Sequence, residues 1–286
     1  MGALALSGLG RAPEEVLRWH ARYCERLDDI ASAPGRYRSA LEEVEHDLER
    51  QGSEAVLAER LPKLISGWAR SAYHPLIRLA YGYAFQIQGE IAAGLAYLTW
   101  CGPDRALERL AASAVGLAPG DAMPAFAALA EASMPLAPER RFDDCLREVV
   151  AHRAFANVAR RYADPLPAIS RLALSVFNQT HNFFALHLVT GAHAYRVLYP
   201  FAGPLRDEIF SLGILAGYAA VGAPSFAADL APRARPSTGA TLAGKVLSDD
   251  DHDIKLAFSA ISQARFFQDN AYLEVAERYL ERRPDA

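Results

Sequence analysis

Three groups of side chains in this sequence could do chemistry. In ARSAYHPLIRLAYGYAF, His74 precedes Pro75, and Arg78 and Tyr81 follow it by four and seven positions. At about 100° per residue those offsets put all three on one helix face. A residue before proline is pushed out of the helical region, so His74 is expected at the helix entrance. Histidine, arginine and tyrosine on the inner face of an apolar helix need polar partners or a ligand. A satisfied core network explains them equally well.

The second group is His181, His187 and His193 in THNFFALHLVTGAHAYRVL. A spacing of six turns each residue about 120° from its predecessor, so the three cannot share one face of a straight helix. One of them, with Thr190, could point inward beside Gly191. A metal triad from this segment alone is therefore improbable, and ligands would have to come from several helices. His20, His46 and His152 sit in charged, amphipathic stretches and are expected to face solvent.

The third group is His252 and Lys255 in DDDHDIKLAF, neighbours on one helix face. Lysine occurs only at Lys63, Lys245 and Lys255 among 30 basic residues, so each lysine invites the question of why arginine does not serve. The plain reading of Lys255 is a surface ion pair with Asp251. The chemical reading is a partly buried amine that loses its proton, becomes a nucleophile or ligand, and can add carbon dioxide to give a metal-binding carbamate. Arginine cannot do that.

The elements that must position these residues are helical. Apolar residues recur at spacings of three and four over residues 5–27, 37–48 and 53–64, with Pro62 marking a bend. Residues 75–100 read as one long buried helix, and residues 145–162 and 166–198 as further helical tracts, the last broken near Gln179. No run alternates in the manner of a strand. Residues 232–247 read as an irregular linker, after which Ser248 caps a final helix from about 249 to 282. The sequence thus predicts an all-α, multi-helical single domain over residues 1–286 with a buried pocket between helices.

The 286 residues carry a net charge of −4 and are 51% hydrophobic, which argues against a nucleic-acid-binding surface. Cys24, Cys101 and Cys145 are expected as buried thiols of a reducing compartment, hence a cytoplasmic protein. Residues 209–228 are uncharged and nearly long enough to span a bilayer, but Gly213, Gly217, Gly222 and Pro224 favour a buried helix and turn. GATLAGK, at residues 239–245, has the outline of a phosphate loop but lacks the following hydroxyl and a preceding strand. No cradle for a nicotinamide or flavin coenzyme is recognisable, so NADPH would serve only as a diffusible reductant.

Taken together, these segments resemble the questin oxidase-like family. AYHPLIRLAYGYAFQIQGEIAAGLAYLTW is similar to the family's His-Gly-x-Ile-Arg-x-Ala-(His/Tyr)-Ala stretch, which closes on an acidic residue and Ala-Leu-Ala-Tyr-Trp. LHLVTGAHAYRVLYP resembles its (Leu/Val)-His-x-Val-Thr segment, and DDHDIKLAFSAISQARFFQDNAYLEVAERYL its closing (Asp/Glu)-His-x-Ile-Lys helix. ALSGLGRAPEEVLRWHARY resembles the early helix that carries a tryptophan.

The resemblance implies oxygen-dependent oxidation of aromatic polyketides, formally of Baeyer–Villiger type. It also implies a non-haem iron held by histidines and a carboxylated lysine. Carried over residue by residue, the metal ligands are His74, His187, His252 and Lys255, with Tyr81 and Arg78 orienting substrate or oxygen. Histidine with a carboxylate donor suits iron that activates oxygen.

The chain departs from the family twice. Tyr81 stands where many members have a second histidine. The family's early Asn-His-x-Pro-Met would align its methionine with Met1, so either the start lies upstream or that ligand is absent. The first expectation is therefore a metal-dependent oxidoreductase that takes molecular oxygen and a small hydrophobic aromatic substrate. The second is a non-catalytic helical binding protein that has lost part of the metal site, and the third a hydrolase using a divalent ion. The arginine-rich composition reads as bacterial. The oligomeric state is left open, a homodimer included.

Overall fold

A computed structural model describes residues 1–27, 32–114, 123–132, 141–159, 166–225, 230, 237–246 and 250–282. The regular structure is all-α as expected, with no strand among the described residues. The described chain forms two compact units, Met1–Arg38 with Asp229–Ala286, and Ser39–Ala228.

The larger unit is organised around three apolar helices. His74–Ala84 and Gln88–Cys101 form an antiparallel pair where the sequence suggested one long helix. The chain reverses at Gln86, which takes a left-handed φ of 56°. Gly82 and Gly94 prove to be contact points and not weak spots within a helix. A Cβ on Gly82 would lie 2.6 Å from the Ile91 nitrogen, and one on Gly94 2.6 Å from the Leu79 Cα. Lacking side chains there, the two backbones approach closely and bury Ile77, Leu79, Ile91 and Leu95.

Phe183–Leu198 packs on His74–Ala84. Its break from Leu166–Thr180 falls at His181 and Asn182, just past the expected Gln179. His181 is left-handed, and the Asn182 carboxamide oxygen accepts from the Phe184 nitrogen at 2.8 Å, capping the new helix. Arg206–Ala220 runs unbroken through Gly213 and Gly217 and ends before Gly222, where φ is 94°. No described helix is long and apolar enough to cross a membrane.

In the smaller unit, Gly2–Gly8 and Pro13–Cys24 are separate helices, parted at Gly10 where φ is 82°. The closing tract is likewise two helices, Asp251–Phe267 and Ala271–Glu281, parted by left-handed Gln268. Periodicity reads through such breaks because a reversal of two or three residues need not disturb the apolar spacing. Part of the stretch expected to be irregular, residues 232–247, is a helix, Gly239–Lys245, whose Thr238 hydroxyl accepts from the Thr241 nitrogen. Residues 232–236 and 247 lie outside the described residues. The cap of Asp251–Phe267 is Asp250, bonded to the His252 nitrogen at 2.9 Å; the expected cap, Ser248, is outside the described residues. Cys145 is buried and Cys101 half-buried, but Cys24 is exposed, since it lies on the polar side of its helix.

Candidate metal centre

The local backbone ahead of His74 is unusual. Ser71, Ala72 and Tyr73 have φ of 50°, 50° and 66°, three successive left-handed residues without a glycine among them. Each such residue costs roughly 1–2 kcal/mol, so packing must impose the turn. Tyr73 supplies that packing. Its ring is fully buried, packs at a tilt against Trp68 at 4.9 Å and lies where a Cβ on Gly191 or Gly217 would stand. Gly191 and Gly217 leave room for this ring.

The turn delivers His74 as the first residue of its helix, with Pro75 second. His74 itself is helical (φ −54°, ψ −39°), which corrects the expectation that proline would push it out of that region. The residues before it absorb the restriction instead.

His74 Nδ1 lies 2.8 Å from the Ser71 carbonyl, and His187 Nδ1 lies 2.8 Å from the Phe183 carbonyl. A carbonyl only accepts, so each Nδ1 carries the proton and each Nε2 presents its lone pair. The two Nε2 atoms are 3.2 Å apart, and the rings meet edge to face at 4.8 Å. Two nitrogens each about 2.1 Å from one ion would be roughly 3.0–3.4 Å apart for octahedral to tetrahedral angles. The pair therefore fits a metal ion or a shared proton. His187 is 1% exposed.

The smaller unit holds a second group. His252 Nδ1 lies 2.9 Å from Asp250 and 3.2 Å from Asp251. Nδ1 again faces an acceptor, and carboxylate-backed histidines of this kind are common around metals. Ligand atoms of Asp250, Asp251 and His252 lie within 4.8 Å of one another.

Asp251 also meets Lys255 Nζ at 2.7 Å. Lys255 is 2% exposed, so the expected ion pair forms, but buried and not on the surface. Burial pushes the Asp251 carboxyl up, yet the Lys255 ammonium, its hydrogen bond and His252 outweigh that and leave it below the usual range. Tyr23 hydrogen-bonds the same carboxylate; burial first, then the Asp251 charge and that hydrogen bond, push its phenol up. Trp19 stacks on Tyr23 at 4.8 Å, which ties the early tryptophan helix to Asp251.

A family model described as Questin oxidase-like matches residues 37–260, most of the chain. The chain belongs to the questin oxidase-like family. No curated protein matches it. The matched range contains His74, Arg78, Tyr81, His187, His252 and Lys255, while the early tryptophan helix lies outside it. Membership in a questin oxidase-like family suggests an oxidoreductase.

Within this questin oxidase-like chain, Tyr81 is 1% exposed and packs against Phe85 and His193, its ring meeting His193 edge to face at 6.0 Å. Arg78 makes a two-pronged ion pair with Glu90, Nε to Oε2 at 2.8 Å and Nη2 to Oε1 at 3.1 Å. Where one inward histidine was expected in Phe183–Leu198, both His187 and His193 are buried, because that helix is apolar on every side. Burial and then the Arg196 charge press His193 down to about 3, so it is neutral throughout the physiological range. His20 and His46 face solvent as expected, and His152 is half-buried.

Sequence reasoning missed Ser71, Glu90 and Tyr23. The signals for two of them were present: an acid twelve residues from Arg78, and a tyrosine one turn from Trp19. Nothing local marks a carbonyl as the partner of a histidine.

Proposed function

We propose that the protein is an oxygen-dependent oxidoreductase that uses non-haem iron and acts on a small hydrophobic, aromatic, polyketide-like substrate. The observation carrying this reading is the His74–His187 pair, two Nε2 lone pairs held 3.2 Å apart by backbone carbonyls on the opposite ring nitrogens. Such a pair is pre-organised for a cation, and imidazole suits iron.

His74 and His187 supply two nitrogen ligands, and the family resemblance adds His252 and Lys255. Bound iron would supply binding and activation of dioxygen. Asp250 and Asp251 hold the His252 proton on Nδ1, and the Ser71 and Phe183 carbonyls do the same for the other two. Lys255, paired as an ammonium with Asp251, cannot ligate in that state. To become a carbamate it must lose a proton, form an N–C bond to carbon dioxide and release a second proton, leaving Asp251 to be reoriented. Tyr81 and Arg78 orient substrate or oxygen, Arg78 in the position that Glu90 sets. The electron donor is a diffusible reductant such as NADPH, and the cytoplasm is the compartment that suits three cysteines not joined by a disulfide among the described residues.

One observation favours a second reading, a non-catalytic binding protein. Tyr81, a poor ligand for ferrous iron, occupies the place of a family histidine and is packed among Phe85 and His193.

The deciding experiment is elemental analysis of protein prepared without chelators, on the parent, His187→Ala and Lys255→Ala. One iron per chain, lost in both variants, supports a single centre drawing on both groups, and oxygen uptake with aromatic substrates should follow. Iron lost in His187→Ala but retained in Lys255→Ala removes the lysine from the ligand set. Zinc or manganese with ester turnover in the absence of oxygen would instead mark a hydrolase. No metal, with binding of an aromatic ligand, would establish the second reading.

A further inference from the structure

A pocket of about 220 Å³ in the larger unit is lined by Arg70, Ser71, Trp100, Asp143, Leu146 and Arg147, together with Cys101 and Asp104. No step proposed above uses it. Its volume is that of roughly seven water-sized groups, enough for one small organic molecule.

The lining is chemically specific. Asp143 Oδ1 is a buried carboxylate oxygen with no hydrogen-bond partner among the described residues. A buried acceptor left unsatisfied is unfavourable, so a ligand that donates to it gains what the protein alone forgoes. Arg70 does not fill that role. Its Nη1 donates to the Cys101 carbonyl at 2.6 Å and its Nη2 lies 3.5 Å from Asp104. Asp104 is committed too, its Oδ1 accepting from the Ala106 and Leu107 nitrogens at 3.0 Å.

Arg147 differs from Arg70. Its side chain is 71% exposed and, among the described residues, is held by Asp144, three residues earlier at 3.1 Å, a weak surface pair. It can turn toward an anion at the pocket mouth. Trp100, itself unusually exposed, and buried Leu146 supply apolar walls. Two arginines and two aspartates make the lining formally neutral. The pocket therefore offers an acceptor for a cationic donor, a mobile guanidinium for a carboxylate, and an apolar wall, with no net charge.

We infer that this pocket binds a small aliphatic α-amino acid, its ammonium on Asp143, its carboxylate on Arg147 and its side chain against Trp100 and Leu146. Ser71 gives the site a consequence. Ser71 lines the pocket, while its carbonyl holds His74 Nδ1 at 2.8 Å from within the strained turn. Occupancy therefore alters the metal affinity of the His74–His187 pair, an effect that rests on the metal reading above and is reciprocal.

The test is calorimetric titration of metal-free protein with L-leucine, with isoamylamine (no carboxylate) and with 4-methylpentanoate (no ammonium). Leucine should bind, and each analogue should bind at least about tenfold more weakly. Asp143→Asn, which keeps the side-chain shape, should weaken leucine and isoamylamine but leave 4-methylpentanoate unchanged. Arg147→Ala, at an exposed position that folding does not need, should weaken leucine and 4-methylpentanoate. No leucine binding up to about 10 mM, or binding that neither variant changes, overturns the site. Zinc affinity is then measured with and without saturating leucine, zinc serving as a redox-silent probe. A change of about threefold or more supports the coupling, and an unchanged affinity overturns the coupling alone. Failure of zinc to bind at all would overturn the metal reading while leaving leucine binding as its own result.

Discussion

His74 and His187, 113 residues apart, point their Nε2 atoms at each other across 3.2 Å while a backbone carbonyl fixes the proton on the far nitrogen of each ring. The same arrangement, with carboxylates as acceptors, holds His252. Three histidines thus hold Nδ1 against an oxygen acceptor. The expectations below follow from that shared geometry and from what supports it.

Metal should stabilise the folded protein through the histidine pair. At a metal concentration about a thousandfold above the dissociation constant, the gain is about 4 kcal/mol. Urea unfolding with and without ferrous iron or zinc should show it in the parent, while His74→Ala and His187→Ala should unfold at the same midpoint with or without metal. A variant that keeps the full metal-dependent shift would show that the ion sits elsewhere.

Gly217→Ala should disturb the site from a distance. The added methyl collides with the Tyr73 hydroxyl, and Tyr73 is what holds the left-handed turn ahead of His74. Overpacking of this kind costs about 1–3 kcal/mol. We expect lower stability together with weaker metal binding, whereas alanine at Gly239, whose Cβ meets only ordinary contacts with Ile261, should change neither.

The Asp251–Lys255 pair should behave as a buried ion pair. Asp251→Asn strands a buried ammonium and should cost about 3–5 kcal/mol in urea unfolding. Adding Lys255→Met should restore much of that loss, because a methionine of similar length fills the space without a charge. Additive losses in the double variant would show that the two side chains do not act as a pair.

Acid should destabilise the protein through His193. Its pKa is pressed down to about 3 by burial and then by Arg196, against 6.5 for an ordinary histidine, and Tyr81 packs on its ring. The unfolded chain therefore takes up a proton below pH 6.5 that the folded chain refuses until about pH 3. Stability contributed by the neutral ring is complete above pH 6.5 and is lost progressively as the pH falls through that window, by an amount on the order of several kcal/mol. In His193→Gln the slope of unfolding free energy against pH should flatten by about one proton over the same range. An unchanged slope would place the proton uptake on other groups.

Arg78 offers a test of substrate orientation separate from folding. Its ion pair with Glu90 is partly exposed, so Arg78→Gln should cost no more than about 1 kcal/mol of stability. If Arg78 orients the substrate, kcat/KM for an aromatic substrate should fall by tenfold or more, on the order of 1.4 kcal/mol in the transition state. Equal activity would confine Arg78 to its structural pairing.

Helix class, the buried character of Phe183–Leu198 and the candidate residues themselves are legible in the order of residues. Apolar spacing is a local property, and helix formation depends on local hydrogen bonds. Rarity made Lys255 conspicuous, and proline placed His74 at the start of a helix. The helix breaks at Gln86 and Gln268 were not legible, because glutamine carries no turn signal and is forced left-handed there by the packing of the helices on either side. The roles of Gly82 and Gly94 were not legible either, since a glycine that weakens a helix and one that admits a neighbour look alike until the neighbour is known.

By itself the sequence determined the all-α class, the questin oxidase-like pattern and which side chains have metal-binding chemistry. Only the tertiary structure decided which nitrogen of each histidine faces an acceptor and that His74 meets His187. It also decided that Lys255 is buried against Asp251, and that three left-handed residues are held in place by a tyrosine seated on two glycines. Helical periodicity is written in neighbours three and four residues apart. A tautomer is set by an acceptor that may be a backbone carbonyl of any residue type, and a lone pair facing another is set by atoms 113 residues away, so neither leaves a mark in the local order of side chains.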